Sequence, residues 1–272
     1  MASKLKFEHL PTVSKERQQI VAQRNDFIRH PRNPLTAQEQ NIIHFLISKI
    51  KPTDKDFMER TFTISEFCDV CGIDGGAGKN HQDIKAALIS IRDKRAWVQT
   101  DDGIETIVSW VDTAKIDAKN GIITVIFSQS IKPFLLDLID RGNYTQAELI
   151  NFLALRSKYG KRLYEILKSH SRSDYRLVFQ DFEIEELKRL LNAENYTRYP
   201  DFQRYVLDIS VREITTFTDI EVFFNPTKTG RKYTGITFNI RRKKPHERFE
   251  SYSRATKSLD LKSSEQLALN DL

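Results

Sequence analysis

The sequence predicts an α+β fold made of two copies of one helical unit, each closed by a β-hairpin. The length of 272 residues corresponds to two domains of ordinary size. The stretch FTISEF from Phe62 to Phe67 has a counterpart 120 residues later, FEIEEL from Phe182 to Leu187. Helix-like and strand-like patterns follow one another in the same order around both stretches, which indicates a duplicated architecture.

Composition narrows the class of protein. Lys and Arg number 43 against 37 Asp and Glu, so the formal net charge is +6, which favours a polyanionic partner. Hydrophobic residues make up 39% of the chain, and no apolar run reaches the roughly 18 residues that a membrane span needs. The N-terminus lacks a secretory apolar run as well. We therefore expect a soluble cytoplasmic protein with no membrane partner.

The first predicted unit covers residues 34–141 and follows a polar arm, residues 1–33. The arm contains a weak helical pattern from Ser14 to Ile28, and two prolines stop it before Thr36. Thr36 and Glu39 form a capping-box pattern at the start of a helix. After a short strand at residues 62–64, a helix with Ser65 as N-cap and Gly72 as C-cap is expected. A third helix and hairpin strands near residues 104–111 and 121–127 complete the unit.

The second predicted unit covers residues 142–244. A long helix is expected from about Gln146 to His170, and another from Pro200 to Phe217. In the latter, the predicted inward residues are Phe202, Val206, Ile209 and Ile214, and the predicted outward residues are Arg204, Asp208 and Arg212. Alternating strands at residues 220–225 and 233–241 enclose a basic loop. The tail, residues 245–272, lacks periodicity and is expected to be disordered.

Three helices closed by a hairpin are the winged-helix form of the helix-turn-helix, so the predicted fold is a tandem of winged-helix domains. In that form the third helix enters a major groove of DNA, and the hairpin, called the wing, reaches the neighbouring backbone. Residues 142–245 hold 19 Lys and Arg against 13 Asp and Glu, so their net charge equals that of the whole chain. The second unit is therefore predicted to be the main DNA reader.

Candidate phosphate contacts lie on the long helix, just beyond it and in the wing, because Lys and Arg bind phosphates without reading sequence. They are Arg156, Lys158, Lys161, Arg162, Lys168, Arg172, Arg176, Lys228, Arg231 and Lys232. Base reading is assigned to the exposed start of the third helix, at Arg198, Tyr199, Asp201 and Arg204. The alternative is that such rows of cations form solvated helix faces, and that Tyr159, Tyr164 and Tyr175 pack in the interior.

The sequence resembles the replication initiator proteins of iteron-containing bacterial plasmids. The resemblance runs from about Gln19 to Arg242. Three stretches carry it: Leu35 to Gln40 (LTAQEQ), Ala154 to Lys168 (ALRSKYGKRLYEILK) and Phe202 to Ile214 (FQRYVLDISVREI). The middle stretch is the most diagnostic.

The resemblance implies a bacterial protein that binds direct repeats at a plasmid origin, opens the adjacent duplex and recruits host replication proteins, the initiator and helicase among them. It implies that the second domain reads DNA. The first domain would supply a further DNA contact, through Lys79, Asn80, His81 and Lys85, or a dimer interface. It also implies dimers, in equilibrium with monomers, that repress the initiator's own gene and so contribute to copy control.

Catalytic motifs are incomplete, so we expect no enzymatic activity. The stretch GIDGGAGKN at residues 72–80 has Ile73 at the first glycine position of a phosphate-binding loop and Asn80 at its hydroxyl position. The six histidines form no His-x-His cluster of the kind that a rolling-circle nuclease needs. Cys68 and Cys71 lack a second ligand pair, so we expect buried side chains and neither a metal nor a cofactor.

Two other interpretations stay open. One is a winged-helix transcriptional regulator without a replication role, and the other is a module that uses its winged helices only for protein contacts. The segment Gln266–Leu272 resembles the short Gln-Leu-x-Leu peptides that dock in the bacterial sliding clamp, but the usual aromatic residue is absent. The sequence also favours the simpler reading of this segment as an unstructured end.

Overall fold

A computed structural model describes residues 12–30, 34–51, 54–56, 59–73, 78–99 and 103–270, without the side chains of residues 12, 78–80, 141 and 261–270. The helices are α1 (Thr12–Arg17), α2 (Asn25–Arg29), α3 (Ala37–Ser48), α4 (Ile64–Cys71), α5 (Gly78–Asp93), α6 (Lys132–Leu135), α7 (Leu138–Arg141), α8 (Leu149–Leu153), α9 (Lys158–His170), α10 (Ile184–Leu191), α11 (Tyr199–Phe202), α12 (Asp208–Phe217) and α13 (Pro245–Asn270). The strands are β1 (Ile20–Arg24), β2 (Arg60–Thr63), β3 (Arg95–Gln99), β4 (Glu105–Ser109), β5 (Val111–Asp117), β6 (Ile122–Phe127), β7 (Tyr144–Glu148), β8 (Val178–Glu183), β9 (Ile220–Thr229) and β10 (Lys232–Arg242).

The two predicted units are present and share one architecture. The first sheet has the strand order β2-β6-β5 and the second has the order β8-β10-β9, both antiparallel. In each unit the first strand leads directly into a helix, and the last two strands form the wing. The first unit carries in addition the hairpin β3–β4 between its third helix and its wing. The tandem winged-helix prediction is confirmed.

The strand–helix junction shows the duplication at the level of the backbone. Helix α4 ends in left-handed Gly72 (φ 65°) and α10 ends in left-handed Asn192 (φ 54°), the conformation that closes a helix by bonding its last carbonyls. The predicted C-cap is confirmed, but the predicted N-cap at Ser65 is wrong. Thr63 caps α4, because its side chain accepts a hydrogen bond from the Glu66 N–H at 3.0 Å.

The N-terminal arm forms part of the fold, and the predicted helix from Ser14 to Ile28 is wrong. Strand β1 separates α1 from α2 and pairs antiparallel with β7, in register from Ile20 opposite Glu148 to Arg24 opposite Tyr144. Val21 is buried. Pairing with a strand distant in sequence overrides the local helical pattern here.

The predicted long helix from Gln146 to His170 is also wrong, because the chain is divided into β7, α8 and α9. The Ser157 side chain accepts hydrogen bonds from the backbone N–H groups of Tyr159 and Gly160, so a new helix starts at Lys158. Helix α9 packs against α2 of the N-terminal arm, α3 of the first unit and α12 of the second. It therefore lies in the contact region between the two units.

The predicted disordered tail is wrong, because α13 starts at Pro245 and packs across both units. Ala255 and Leu259, four residues apart on one helix face, are 0% exposed. Asp260 forms an ion pair with Arg17 of α1 at 2.8 Å. Helix α13 has few hydrophobic residues, so it is stable only when these pack against the folded units.

Cys68 and Cys71 are buried in α4 and form part of the core, as expected. Within the described residues, no group of three or more His, Cys, Asp and Glu side chains could hold a metal ion. In the same part of the chain, no helix is long and apolar enough to cross a membrane.

Candidate DNA interface

The third helix of the second unit is continuous from α11 to α12, with a π-helical turn over Gln203–Leu207 in the middle. Phe202, Val206 and Ile214 are fully buried, as predicted. The π turn adds one residue to a turn, so Leu207 is buried beside Val206 and the predicted core residue Ile209 is only partly buried. We refer to α11, the π turn and α12 together as the recognition helix.

The start of the recognition helix carries three of the four predicted base-reading side chains in accessible positions. Arg198 is 75% exposed at the side chain and lies 3.6 Å from the Asp201 carboxylate, which is 42% exposed. Arg204 is exposed, and its guanidinium lies 5.4 Å from the centre of the Tyr205 ring. Arg212, further along, is exposed too. These donors and acceptors match those that read base edges in a major groove.

Tyr199, the fourth predicted base reader, occupies a different place. Its ring stacks on Tyr233 of the wing, with centroids 4.1 Å apart and planes 19° apart, and its hydroxyl is buried. Burial, together with the neighbouring Tyr233 and Asp208, raises the pKa of Tyr199 to about 12. The prediction of base reading is wrong for this residue, because its polar atom faces the protein. It joins the recognition helix to the wing.

The wing is the hairpin β9–β10, and its tip carries the predicted basic loop. Lys228, Arg231 and Lys232 are exposed, and Gly230 makes the turn with φ 63°. The Lys228 ammonium lies 4.3 Å from the centre of the Tyr233 ring. The same tyrosine thus contacts both the recognition helix and a wing lysine, which fixes the wing beside the helix.

The start of α9 adds two cations to this surface. Arg156 is exposed and Lys158 half-buried, its ammonium 4.8 Å from the centre of the Tyr159 ring. The backbone N–H groups of Arg156 and Ser157 both donate to Glu213 Oε2 of α12, at 3.2 Å. The carboxylate holds this segment against the recognition helix, so both predicted phosphate contacts lie beside it.

Three tyrosines connect Lys158 with Arg204. Tyr159 and Tyr196 have ring centroids 6.0 Å apart, and Tyr196 and Tyr205 have theirs 6.3 Å apart. Tyr205 is 47% exposed. Sequence reasoning missed Tyr196 and Tyr205. Their spacing to Tyr159 is irregular along the chain, so no periodic signal connects them.

We use the name basic face for the cations of the recognition helix, the wing and the start of α9 that reach the surface, together with Asp201 and the tyrosines between them. Its members are Arg156, Lys158, Tyr159, Tyr196, Arg198, Asp201, Arg204, Tyr205, Lys228, Arg231 and Lys232.

Lys161 and Arg162 are wrong as DNA contacts. Lys161 is 1% exposed and donates to the Phe152 carbonyl, while Arg162 is 4% exposed and donates to the Ile28 carbonyl. The next cation of the series, Lys168, is buried in an ion pair with Asp219. All three lie on α9, which the two units cover on several sides.

A buried ionic cluster forms around Glu165 of α9. Its carboxylate lies 2.7 Å from His44 Nε2 and 3.0 Å from Arg162 Nη1 and accepts a hydrogen bond from Gln23 at 3.3 Å. Burial alone would raise the pKa of Glu165, but the His44 hydrogen bond and the His44 and Arg162 charges lower it to about 2. The cluster joins β1 and α3 of the first half to α9. Arg162, which the sequence suggested as a phosphate contact, therefore forms an ion pair inside the protein.

Arg172 and Arg176 lie beyond the far end of α9 and both pair with Asp174, at 3.3 and 3.4 Å. A helix of 13 residues is about 20 Å long, so they lie far from the start of α9. They do not join the basic face.

Helix α5 occupies in the first unit the position that the recognition helix has in the second. Lys85 is exposed, and His81 is half-buried with its Nε2 atom inside. Lys79 and Asn80 are in the first turn of α5, and their side chains lie outside the described ones. The predicted contacts of the first unit remain predictions.

The duplicated sheets, the exposed recognition helix and the basic wing define a tandem winged-helix protein. Residues 20–168 match the family profile described as "Initiator Replication protein, WH1", and residues 183–240 match that described as "Initiator Rep protein, WH2". The chain belongs to this family of replication initiator proteins.

Two relatives illustrate the similarity. The PI protein of Escherichia coli is 28% identical over 147 residues, which cover 49% of this chain and 47% of that protein. The alignment thus spans about half the length of that curated relative. The fold matches the crystal structure of the Pi initiator protein in complex with iteron DNA, with a TM-score of 0.68 and 18% identity. The match covers 84% of this chain and 99% of that one.

Proposed function

We propose that the chain is a plasmid replication initiator that binds direct repeats of double-stranded DNA at an origin. The observation that carries the proposal is the basic face, where exposed arginines at the start of the recognition helix lie beside a basic wing. A helix inserted in a major groove with a wing on the adjacent backbone is how winged helices bind DNA. The related Pi protein was crystallised with iteron DNA, which supports the same class of ligand.

Within the basic face, the residues divide by position. Arg198, Asp201 and Arg204 lie on the recognition helix and are assigned to base edges. The wing and α9 cations are assigned to phosphates, where they fix register without reading sequence. We assign Tyr159, Tyr196 and Tyr205 to the wall of the interface, as packed supports for Lys158 and Arg204.

A titration tests DNA recognition directly. Fluorescence anisotropy with a duplex of the repeat found beside the gene, and with a scrambled duplex of equal composition, gives the specificity ratio at several salt concentrations. We expect tighter binding of the repeat and a steep loss of affinity as salt rises. A footprint on the upstream DNA locates the repeat. Equal affinity for both duplexes at every salt concentration would contradict sequence reading.

Origin opening and recruitment of host proteins distinguish an initiator from the alternative, a transcriptional regulator. Membership of the initiator family favours the initiator. The gene with its flanking repeats, joined to a resistance marker, should persist as a replicon after transformation. A chain that only represses transcription leaves no such replicon, whatever its affinity for the repeats.

The remaining partners are part of the same proposal. We place a monomer–dimer equilibrium in the first unit, with dimers repressing the chain's own gene, and light scattering at increasing concentration measures it. Host initiator, helicase and sliding clamp are the proposed recruits. The clamp peptide Gln266–Leu272 lies outside the described side chains, and deletion of these seven residues, followed by clamp pull-down, tests it.

We also propose that the chain performs no chemical step of its own and acts in the bacterial cytoplasm, where plasmid DNA is found. The incomplete phosphate-binding loop at residues 72–80 supports the first point. Incubation of the purified chain with ATP or supercoiled origin DNA should leave both covalently unchanged. Cell fractionation tests the location.

A further inference from the structure

The outward surface of the second sheet carries two exposed phenylalanines. Phe179 of β8 and Phe223 of β9 are both in register with Asn239 of the central strand β10, so the three side chains form one row across the sheet. Phe179 is 65% exposed and Phe223 is 56% exposed. We call this row the Phe row. Exposed aromatic side chains grouped on one face indicate a contact surface.

The first sheet serves as an internal control, because the two sheets superpose in topology and register. With Phe62 matched to Phe182, the strand partners place Glu59 and Thr113 at the positions of Phe179 and Phe223. Glu59 pairs there with Lys115 at 2.9 Å. The same architecture is thus built with polar residues at both positions. The two phenylalanines are not a requirement of the fold.

An acidic cleft adjoins the Phe row. It has a volume of about 870 Å³ and extends between the start of α10 and the wing, with Gly235 among the residues that line it. Its acidic lining residues are Asp181, Glu183, Glu185 and Glu186, all exposed. Lys232 also lines it, and Glu185 forms an ion pair with Lys188 at 3.0 Å. On the other side of the Phe row, Arg241 is neutralised by Glu221 and Glu247. Four carboxylates stand here against two cations, Lys232 and Lys188, so the cleft keeps an acidic excess that favours a partner that is both apolar and basic.

A surface with that complementary character exists on the first unit, on the hairpin β3–β4 that the second unit lacks. Trp97 and Ile107 are cross-strand partners and are 62% and 46% exposed. Arg95, two residues before Trp97, lies on the same face and is exposed. Glu105 on that face is the acidic exception. Val98 and Val108 fill the opposite face and are buried, so the hairpin presents outward its aromatic side, with Arg95 at the end away from Glu105.

Copies bound to direct repeats all point the same way along the DNA. Neighbours related by such an operation contact each other through two different surfaces, one from each copy, and not through one shared surface. The Phe row with its acidic cleft and the Trp97–Ile107 hairpin belong to opposite units of the chain. They therefore meet the requirement of a head-to-tail contact.

We propose that the Phe row and the acidic cleft of one copy dock the Trp97–Ile107 hairpin of a second copy bound at the adjacent repeat. The proposal rests on the proposed function, since it is the DNA that aligns the copies. The Phe179 and Phe223 rings pack against Trp97 and Ile107, and Arg95 enters the acidic cleft. The consequence is that the second copy binds more tightly than the first.

The test compares duplexes with one repeat and with two adjacent repeats by electrophoretic mobility shift. We expect the wild-type chain to bind the second repeat about tenfold more tightly than the first, within the usual range of coupling. Phe223→Thr, which introduces the residue of the first unit, should abolish this factor and leave one-repeat affinity unchanged. Phe249→Ser is the matched control, because Phe249 is 60% exposed on α13, outside the proposed contact.

Charge exchange makes the test specific for two copies of this chain. Arg95→Glu and Glu183→Lys should each reduce the tenfold factor, and a chain with both changes should recover it, because every contact then pairs the reversed charges. Recovery in the double variant supports docking of like copies. Additive loss in the double variant overturns it.

The failures of the two proposals are distinguishable. If the wild-type chain does not prefer a one-repeat duplex over a scrambled one, the proposed function fails. If it binds single repeats specifically but fills two repeats independently, or if Phe223→Thr keeps the tenfold factor, the docking proposal fails. If Phe223→Thr loses replication but still binds the second repeat tenfold more tightly, the Phe row contacts a different protein, and self-docking is overturned as well.

Discussion

Tyr199 of the recognition helix and Tyr233 of the wing stack face to face at 4.1 Å, and this contact sets the position of the wing relative to the helix. Lys228 lies 4.3 Å above the same Tyr233 ring. Stacked rings and a cation over a ring have preferred geometries and stabilise a contact beyond its buried area. The wing is therefore held in place before DNA arrives.

Replacement of Tyr233 tests this arrangement. We expect Tyr233→Leu to weaken binding of all duplexes severalfold, because the wing cations lose their fixed position, while the thermal midpoint falls by only a few degrees. Tyr233→Phe keeps the ring and should bind like the wild type. Anisotropy titration and a thermal melt of each variant give both quantities. Normal affinity in Tyr233→Leu would show that the wing needs no such support.

Arg204→Ala should relax base preference at one position of the repeat. A bidentate contact from arginine to guanine discriminates by about 1 to 3 kcal/mol, so affinity for the correct repeat falls while affinity for the repeat mutated at that position changes little. Titration against the four single-base variants at each position identifies the base. A uniform loss across all of them would place Arg204 on a phosphate.

Lys232→Ala should weaken repeat and scrambled duplexes alike. Each phosphate contact adds to the salt dependence, so the slope of log affinity against log salt should become shallower by about 1. Asp201→Asn provides a comparison on the recognition helix, where we expect altered base preference at an almost unchanged slope.

Arg162→Ala and Lys158→Ala should have opposite effects, although the two residues are four positions apart on α9. Removing Arg162 leaves the buried Glu165 with one charged partner fewer and should cost about 3 kcal/mol of unfolding free energy, with DNA affinity of the folded chain retained. Lys158→Ala should weaken DNA binding and change stability by less than about 0.5 kcal/mol. Urea unfolding and anisotropy at 25 °C separate the two effects.

Acid stability should depend on His170. Burial and the charge of Arg29 lower the pKa of His170 to about 4, so the folded chain takes up fewer protons than the unfolded chain between pH 4 and 6.5. The contribution of His170 is therefore complete above pH 6.5 and is lost as pH falls towards 4. The stability difference between the wild type and His170→Gln should shrink over that range. A stability difference that stays constant from pH 7 to pH 4 would contradict this role of His170.

Gly72→Ala should be more destabilising than Gly121→Ala, although both glycines have φ 65°. The strain of a left-handed alanine, about 1 to 2 kcal/mol, is common to both variants. At Gly72 a Cβ would lie 2.6 Å from the Leu259 carbonyl oxygen, whereas at Gly121 nothing lies within 4 Å. The difference between the two variants in urea unfolding measures the close approach of α13. Equal losses would mean that α13 shifts away at no cost.

Local patterns predicted the elements that local chemistry determines. Thr36 and Glu39 form the expected capping box, with both hydrogen bonds present. The wing was recognised from alternation and a Gly-containing loop, and Phe202, Val206 and Ile214 from their helical spacing. Each individual strand, loop or helix pattern is contained in fewer than about fifteen consecutive residues, which is the range in which propensity and periodicity operate.

Distant contacts account for what the sequence could not predict. Lys161 and Arg162 look like a basic helix face until α2 and α8 are placed over them, and only then do their hydrogen bonds to Ile28 and Phe152 exist. Strand β1 depends on β7, at least 120 residues away along the chain. Helix α13 depends on apolar surface that both units supply. The position of Tyr199 could not be predicted either, because its stacking partner Tyr233 follows the wing turn in sequence and no local pattern connects the two rings.

Helix α13 also affects the order in which the molecule can be completed during translation. The first unit emerges from the ribosome early, yet the backbone of Leu259 that covers Gly72 and the carboxylate that pairs with Arg17 are synthesised more than 180 residues later. Nascent chains fold from the N-terminus as they appear. Until that late segment is synthesised, one side of the first unit stays uncovered. Ribosome stalling before Pro245 would therefore leave both units without the helix that packs across them.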